Sequence, residues 1–270
     1  MNDFFAELAD KKFNNISKQR VLTRLHREYD APPINKNEVL RYAGFPASYL
    51  ANKGGSDAEY LKLIANRCEQ CGKNCGLSAC QITLDDENQN ENSFEAIPPE
   101  DDKLNTLVDD SLKLLTNELT YRVSYCCSEL SFDLEGYPVL PFEQKSEDLK
   151  KNLSGCRAVI IFAATIGAGI DRLIRRYERT RPATGIILQG AGAERVEALC
   201  NLFNDEVSAA AKKAGFNTHP RYSPGYGDLS IEVQPHLLQL LDAEKRLGIT
   251  LGASYLMSPS KSVTAIIGIE

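Results

Sequence analysis

The chain has 270 residues, of which 43% are apolar and 25% charged, a composition that is ordinary for folded globular proteins and excludes wholesale disorder. Its formal net charge of -6 provides no general basic field for nucleic-acid phosphates, so a nucleic-acid partner is not expected. The longest strongly apolar run, Ala158 to Ala164, is far shorter than the roughly 20 residues of a membrane span, and the start of the chain lacks a secretory pattern. We therefore expect a cytoplasmic protein that has no membrane partner.

The N-terminal segment carries apolar residues among charges at nearly helical spacing. Residues 4 to 29 contain this pattern, and a Pro-Pro pair follows it. The pattern predicts an N-terminal helical arm over residues 1–33. A second, shorter helix is predicted through Val39 and Leu40.

A cysteine cluster follows these helices. Four of the eight cysteines fall within thirteen residues, at Cys68, Cys71, Cys75 and Cys80. Thiolates at this spacing can converge on one metal, and four soft ligands suit zinc or an iron–sulfur cluster. The spacing does not choose between these metals, and a set of free thiols on a loop is the alternative.

An acidic stretch lies next to this cluster. Residues 85–102 are rich in Asp, Glu and Asn and contain prolines, so they are predicted to form a loop. With the cysteines they form an insert at about residues 67–104 of a domain that spans residues 34–270. The remaining cysteines lie in apolar surroundings and are predicted to be small buried residues: Cys126, Cys127, Cys156 and Cys200.

The main body mixes helix and strand patterns. Helices are predicted over residues 104–119, 146–153, 182–213 and 235–246. The third of these helices could break near Gly190 and Gly192. Strands are predicted over residues 121–132, 158–165, 249–253 and 262–269, and the first of these alternates like a strand covered on one face. Helices and strands in this order indicate a mixed α+β fold.

Two features of the main body suggest binding but have plainer explanations. Thr165-Ile-Gly167-Ala-Gly169 could cradle a dinucleotide, yet the third glycine of that motif is missing, and a tight strand-to-helix connection is favoured. A cluster of arginines follows, for which a solvated helix face is favoured over a surface that docks an acidic protein: Arg172, Arg175, Arg176, Arg179 and Arg181.

The segment Arg221-Tyr-Ser-Pro-Gly-Tyr-Gly-Asp228 combines a bidentate cation, an aromatic ring and glycines that allow close approach to the backbone. Such a loop can hold a small zwitterion, because arginine pairs with a carboxylate and a ring packs against a planar base. A structural turn explains the same residues equally well. The residue types alone leave both interpretations open.

Four other segments stand in order with the loop at 221–228: Glu38-Val-Leu-Arg-Tyr42, Ala164-Thr-Ile-Gly167 with Asp171, Val196-Glu197, and Met257-Ser-Pro-Ser-Lys-Ser-Val263. Together the five segments resemble one family, the S-adenosylmethionine-binding activation domain of cobalamin-dependent methionine synthase, in a short free-standing form. The likeness covers about residues 34–66 and 106–270, and the loop at 221–228 is its most specific part.

This resemblance implies a twisted, largely antiparallel sheet flanked by helices. It also implies reductive reactivation of a methionine synthase or a related corrinoid protein, in which bound S-adenosylmethionine presents its methyl group to cob(II)alamin or cob(I)alamin. The cobalamin would lie on the corrinoid-binding methionine synthase subunit, and a flavodoxin-like or ferredoxin-like donor would supply the electron. The chain would then be one component of a methyltransferase system.

The resemblance also assigns roles to individual residues. By position, Arg221 should pair with the carboxylate of S-adenosylmethionine, and Glu197 should face its ammonium or sulfonium group. Ser223, Gly225 and Tyr226 belong to the expected cofactor-binding loop, in which Gly225 and Tyr226 would shape the adenosine pocket. The plainer alternatives are a solvated carboxylate for Glu197 and an ion pair between Arg221 and Asp228.

Two other functions compete with this one. The chain could be a non-catalytic scaffold or electron-transfer accessory that binds iron–sulfur or zinc through its cysteine cluster. It could also be an independent methyltransferase that acts on a small molecule, but the sequence offers no identifiable general base or nucleophile for that chemistry.

Overall fold

The computed structural model describes residues 1–9, 21–45 and 101–270, and these residues fall into two compact units. The first unit contains Leu119–Arg172, Arg195–Glu270 and the described part of Met1–Ile34, and the second contains Leu173–Glu194 with the described part of Asn35–Glu118. The domain boundaries predicted from the sequence, 1–33 and 34–270, stay predictions. The cysteine cluster and most of the predicted insert lie outside the described residues.

The first unit is built on a four-stranded antiparallel sheet. Its order is β1-β2-β5-β8, formed by Val21–Tyr29, Tyr121–Glu129, Ala158–Thr165 and Ser262–Ile269. Four two-residue strands form two small hairpins, β3 (Ser131–Phe132) with β4 (Pro138–Val139) and β6 (Thr250–Leu251) with β7 (Met257–Ser258). The expected mixed fold with an antiparallel sheet flanked by helices is confirmed.

Eight helices lie in the described residues, together with a 3-10 turn at Ile231–Val233. In chain order they are α1 (Asn2–Ala9), α2 (Lys36–Tyr42), α3 (Asp101–Lys113), α4 (Glu147–Asn152), α5 (Gly169–Thr180), α6 (Pro182–Lys213), α7 (Gln234–Leu240) and α8 (Ala243–Leu247). Among the described residues, none of these helices has both the length and the apolar character needed to cross a membrane.

Both faces of the sheet are covered. On one face, the rings of Tyr125 and Phe162 lie 5.1 and 4.9 Å from the ring of Phe203 on α6. On the other face, Cys126 and Ile161 belong to an apolar cluster with residues of α4, α7 and α8. The prediction that residues 121–132 are covered on one face is therefore wrong, because side chains of both parities along β2 are buried.

The N-terminal segment differs from the predicted helical arm. Asn2–Ala9 is helical, but Val21–Tyr29 forms the edge strand β1, which pairs with β2. Leu25, Arg27 and Tyr29 are half-buried, whereas the residues between them are exposed, which is the two-residue period of a strand. Pairing with β2 stabilises this strand, and a local pattern of apolar residues does not reveal that partner.

Two helices in the main body also differ in detail from their predictions. The helix α6 runs without a break through Gly190, where a Cβ atom would overlap the backbone of Val39 and Ala43. The predicted helix 235–246 is divided into α7 and α8 by Asp242, whose φ of 52° is left-handed. Gly248 ends α8 with a φ of 71°, a left-handed conformation that glycine commonly adopts after a helix.

In the second unit, side-chain contacts hold the short helix α2. Asn35 caps α2 by accepting hydrogen bonds from the amides of Asn37 and Glu38, and its own amide donates to Glu194 over 3.1 Å. Lys36 forms an ion pair with Asp109 of α3. The helix predicted through Val39 and Leu40 is confirmed, and both of these residues are buried.

Candidate functional site

Arg221 and Glu197 form an ion pair in the first unit. Arg221 donates from Nη2 to Oε2 of Glu197 over 2.6 Å, and the two side chains remain 25% and 37% exposed. Nη1 of Arg221 donates to Oδ1 of Asn201 over 2.8 Å. Because Glu197 and Asn201 are four residues apart on α6, they lie on one face of the helix and hold the guanidinium together. The sequence motifs indicate Arg221 and Glu197 but give no signal for Asn201.

The backbone before the loop sets the position of Arg221. The residues from Asn217 to Tyr222 run antiparallel to β8, with isolated bridges from Thr218 to Ile269 and from Tyr222 to Ile266. The amide of Tyr222 donates to the carbonyl of Ile266 over 2.8 Å, and the reverse bond has the same length. This extended segment places Arg221 beside α6.

Two glycines with positive φ shape the loop that follows. Gly225 has a φ of 89° and donates to the carbonyl of Leu229 over 2.8 Å, whereas Gly227 has a φ of 52°. A Cβ atom on Gly227 would overlap side-chain oxygens of Asp148 and Tyr222. Both positions therefore require glycine, since an L side chain would be strained at Gly225 and would collide at Gly227.

Asp228 attaches the loop to α4 and is not the partner of Arg221. Its carboxylate accepts hydrogen bonds from the Ser146 hydroxyl and from the amides of Glu147, over 2.7 Å, and Asp148, over 3.3 Å. The Ser146 hydrogen bond, followed by those of the helix amides, holds the pKa of Asp228 below its ordinary value. The loop thus has a fixed anchor at its C-terminal end.

The remaining predicted binding residues lie on this anchored loop. Ser223 is half-buried, Gly225 is exposed, and the Tyr226 side chain is 47% exposed. The carbonyl of Tyr226 accepts a hydrogen bond from the Tyr222 hydroxyl over 3.2 Å. The loop therefore presents an accessible aromatic ring on a backbone that is held by hydrogen bonds.

A second polar cluster lies just before Arg221. His219 bonds through Nδ1 to the carbonyl oxygen of Asn152 and through Nε2 to Oε2 of Glu270 over 3.1 Å. The hydrogen bond to Asn152 and the nearby Glu270 carboxylate raise the pKa of His219, despite partial burial. Its Nδ1 also lies 3.5 Å from Sγ of Cys156.

The four cysteines of the main body are buried and unpaired, as predicted. Burial raises the pKa of Cys126, Cys127 and Cys200 to about 12, and that of Cys156 to about 11. Thiols of this kind stay protonated at neutral pH and are poor nucleophiles and metal ligands. In the parts of the chain that the structure describes, no group of three or more His, Cys, Asp or Glu side chains could hold a metal ion.

The glycine-rich connection after β5 is packed against protein. Gly167 has a φ of 79°, and a Cβ atom there would lie 2.5 Å from the Thr120 hydroxyl oxygen. Asp171 of α5 accepts hydrogen bonds from the amide and the hydroxyl of Ser260. Burial lowers the pKa of the neighbouring Lys261. These contacts support the favoured interpretation, a tight connection between strand and helix.

An open groove of about 810 Å³ lies elsewhere in the same unit. It is lined by Asp133 and by residues 137–145, around the β3–β4 hairpin. None of the predicted binding residues lines this groove. The ion pair and the loop, rather than the groove, therefore define the candidate site.

One protein-family model matches the part of the chain that contains this site. The family model of the vitamin B12 dependent methionine synthase activation domain matches residues 142–269, a range that includes Glu197, Asn201 and the loop 221–228. Over residues 142–269 the chain is therefore similar to the activation-domain family. The expected resemblance is confirmed, and within the matched range the Arg221–Glu197 pair joins α6 to the segment beside β8.

The fold of the chain is similar to that of a solved structure. A crystal structure of the MetH reactivation domain bound to AdoHcy superposes with a TM-score of 0.52 at 15% sequence identity, covering 92% of this chain and 78% of that one. At this identity the likeness establishes the fold. No curated protein matches the chain.

Proposed function

We propose that the chain reactivates a cobalamin-dependent methionine synthase, or a related corrinoid protein, by binding S-adenosylmethionine and holding its methyl group towards the partner's cobalamin. The observation that carries the proposal is the contact of Arg221 with Glu197 next to the loop 221–228, inside the family match. The ligand of the similar MetH reactivation domain, AdoHcy, has the same amino-acid and adenosine groups and supports this choice.

The Arg221 guanidinium suits the ligand's carboxylate. Its hydrogen bonds to Glu197 and Asn201 use two of the five N–H groups that an arginine carries, which leaves the others for a carboxylate. Because the two contacts fix the plane of the guanidinium before the ligand arrives, less side-chain entropy is lost on binding. Arg221 is thus preorganised for a bidentate contact.

Glu197 suits the positive groups of the same ligand. Its carboxylate is 37% exposed and lies next to Arg221, so a carboxylate bound to Arg221 brings its own ammonium group within reach of Glu197. A negative charge at this position favours both the ammonium and the sulfonium of S-adenosylmethionine. The exposed ring of Tyr226 offers a surface for adenine, and Ser223 and Gly225 offer a hydroxyl and an approachable backbone.

The contribution of the chain to the reaction is positioning. When bound, S-adenosylmethionine supplies the methyl group, the partner's cobalamin accepts it, and a flavodoxin-like or ferredoxin-like donor supplies one electron. The residues Arg221 and Glu197 orient the amino-acid end, and the loop anchored through Asp228 orients the adenosine end. Holding two reactants in a productive geometry is itself a large source of rate acceleration.

Calorimetric titration of the full chain with AdoHcy tests this binding directly. We expect saturable binding, which Arg221→Ala weakens by about 1.5–3 kcal/mol, the range for a hydrogen bond to a charged group. This corresponds to roughly 10- to 150-fold in Kd. Arg157→Ala removes an exposed arginine of the same unit and should leave Kd unchanged.

A second assay tests the reaction. The full chain, S-adenosylmethionine and a reductant should convert a corrinoid partner from its cob(II)alamin to its methylcobalamin absorbance spectrum, and Arg221→Ala should slow this conversion. Absence of AdoHcy and S-adenosylmethionine binding, with and without the corrinoid partner, would overturn the proposed function.

A further inference from the structure

The extended segment that carries Arg221 contains one extra residue opposite β8. The amide of His219 donates to the carbonyl of Gly268 over 2.9 Å. Three residues later, Tyr222 exchanges two hydrogen bonds of 2.8 Å with Ile266, which lies only two residues before Gly268. One residue more on the segment than on β8 is the arrangement of a β-bulge. The bulge includes Arg221, so regular strand pairing alone does not set the backbone at this position.

Asn152, the last residue of α4, contacts this bulge. Its side-chain Nδ2 donates to the carbonyl oxygen of Pro220 over 3.1 Å, and its own carbonyl oxygen bonds to Nδ1 of His219. A carbonyl oxygen only accepts, so the Asn152 amide group must present its nitrogen to Pro220. Because proline has no amide hydrogen, this carbonyl is the one backbone group through which Pro220 can be held by a hydrogen bond.

The Pro220 carbonyl controls the direction of the Arg221 side chain. It belongs to the same planar peptide group as the Arg221 nitrogen, so fixing the oxygen also fixes that plane. The hydrogen bond from the Tyr222 amide to β8 fixes the next peptide group. Between these two fixed peptide groups the side chain of Arg221 extends to α6, where it contacts Glu197 and Asn201.

We propose that Asn152 is a positioning residue for Arg221: it holds the Pro220 carbonyl and so fixes the bulge from which Arg221 would bind the carboxylate of S-adenosylmethionine. This inference rests on the proposed function and adds to it a residue that acts through Arg221. Oδ1 of Asn152 is buried and has no hydrogen-bond partner among the described residues, which offsets part of the stability that the Nδ2 contact provides. The side chain should therefore matter more for the position of Arg221 than for the stability of the fold.

Two ligands separate positioning from a general structural role. AdoHcy has the amino-acid end that Arg221 would bind, whereas methylthioadenosine has the same adenosine group without that end. Both ligands are titrated calorimetrically into the natural full chain and into Asn152→Ala. The matched control is Asn217→Ala, which truncates an exposed asparagine of the same extended segment and keeps its backbone hydrogen bonds to Glu270.

We expect Asn152→Ala to raise the Kd of AdoHcy about three- to tenfold, a loss typical of one hydrogen bond, and to leave the Kd of methylthioadenosine within about twofold. Asn152→Asp, whose ionised side chain has no donor, should show the same loss, and it replaces Asn152→Ala if that chain does not fold. Asn217→Ala should keep both affinities. In a chain that already carries Arg221→Ala, Asn152→Ala should have no further effect on AdoHcy binding, because Asn152 acts through Arg221.

Unchanged AdoHcy affinity in Asn152→Ala, or an equal loss for both ligands, would overturn the positioning role. A measurement without ligand distinguishes this inference from the proposed function. The NMR signal of the Arg221 Nε–H group should shift in Asn152→Ala and not in Asn217→Ala, and an unchanged signal in both chains contradicts the positioning role. Absence of AdoHcy binding by the natural chain, with this shift present, contradicts the proposed function alone.

Discussion

Asn201 accepts a hydrogen bond from Nη1 of Arg221 over 2.8 Å, one helical turn after Glu197. This contact fixes the second edge of a guanidinium whose first edge is held by Glu197. The positions of both partners on one face of α6 mean that the helix itself sets the orientation of Arg221.

Removal of this contact should weaken ligand binding without unfolding the chain. We expect Asn201→Ala to weaken the binding free energy of AdoHcy by about 0.5–1.5 kcal/mol, the range for one hydrogen bond. The reason is that Arg221 keeps its contact with Glu197 but loses part of its preorganisation. Asn201 is exposed, so thermal stability should change little. A loss of affinity as large as that of Arg221→Ala would contradict a positioning role.

Ser146 should contribute to stability through the cap of α4. Its hydroxyl accepts from the amide of Leu149 over 2.9 Å and donates to Asp228, and Ser146 is buried. We expect Ser146→Ala to lower the free energy of unfolding by about 0.5–2 kcal/mol, measured by urea denaturation. The exposed Ser154, just after the same helix, provides the control as Ser154→Ala, and an equal loss in both variants would contradict the cap.

The pH dependence of stability should report His219. Its pKa is raised in the folded chain by the Asn152 carbonyl, and the Glu270 carboxylate adds to this rise, so the folded state binds the proton more tightly than the unfolded state. This contribution is complete below the ordinary histidine pKa of about 6.5 and is lost as the pH rises through the folded value. The stability difference between the natural chain and His219→Gln should therefore shrink from pH 5.5 to pH 8.5, values taken as roughly one to two units either side of that pKa. A constant difference in urea unfolding across this range would contradict the assignment.

The buried cysteines should resist alkylation. With pKa values raised to about 11 or 12, the thiols of Cys126, Cys127, Cys156 and Cys200 have little thiolate near pH 8, roughly the value at which an exposed thiol reacts readily. Peptide mapping after brief iodoacetamide treatment should find them unmodified in the folded chain and modified in urea. Rapid modification of Cys127 in the folded chain would contradict its burial.

The cysteine cluster, outside the described residues, remains a prediction that metal analysis can test. Anaerobically purified chain should contain iron or zinc, and Cys68→Ser with Cys71→Ser should remove most of it, because four thiolates are needed to complete the site. Cys127→Ser removes a buried thiol instead and should leave the metal content unchanged. Metal-free protein with full activity would exclude the metal-binding alternative.

Local sequence patterns were sufficient for most of the main body. The apolar run 158–165 and the helix pattern 146–153 each depend on neighbouring residues, and the structure confirms the strand and the helix that they predict. The same approach failed for Val21–Tyr29, whose partner strand begins about a hundred residues later at Tyr121. An edge strand depends on that distant pairing, and residues of mixed spacing do not reveal it.

By itself, the sequence determined the elements that short-range forces stabilise, and it identified Arg221, Glu197 and the loop through residues that resemble one family. Only the tertiary structure decided which of these side chains meet: Arg221 pairs with Glu197 and Asn201, whereas Asp228 turns away to cap α4. The physical reason is that a side-chain contact between distant segments depends on strand register and helix rotation, which the packing of the whole unit sets.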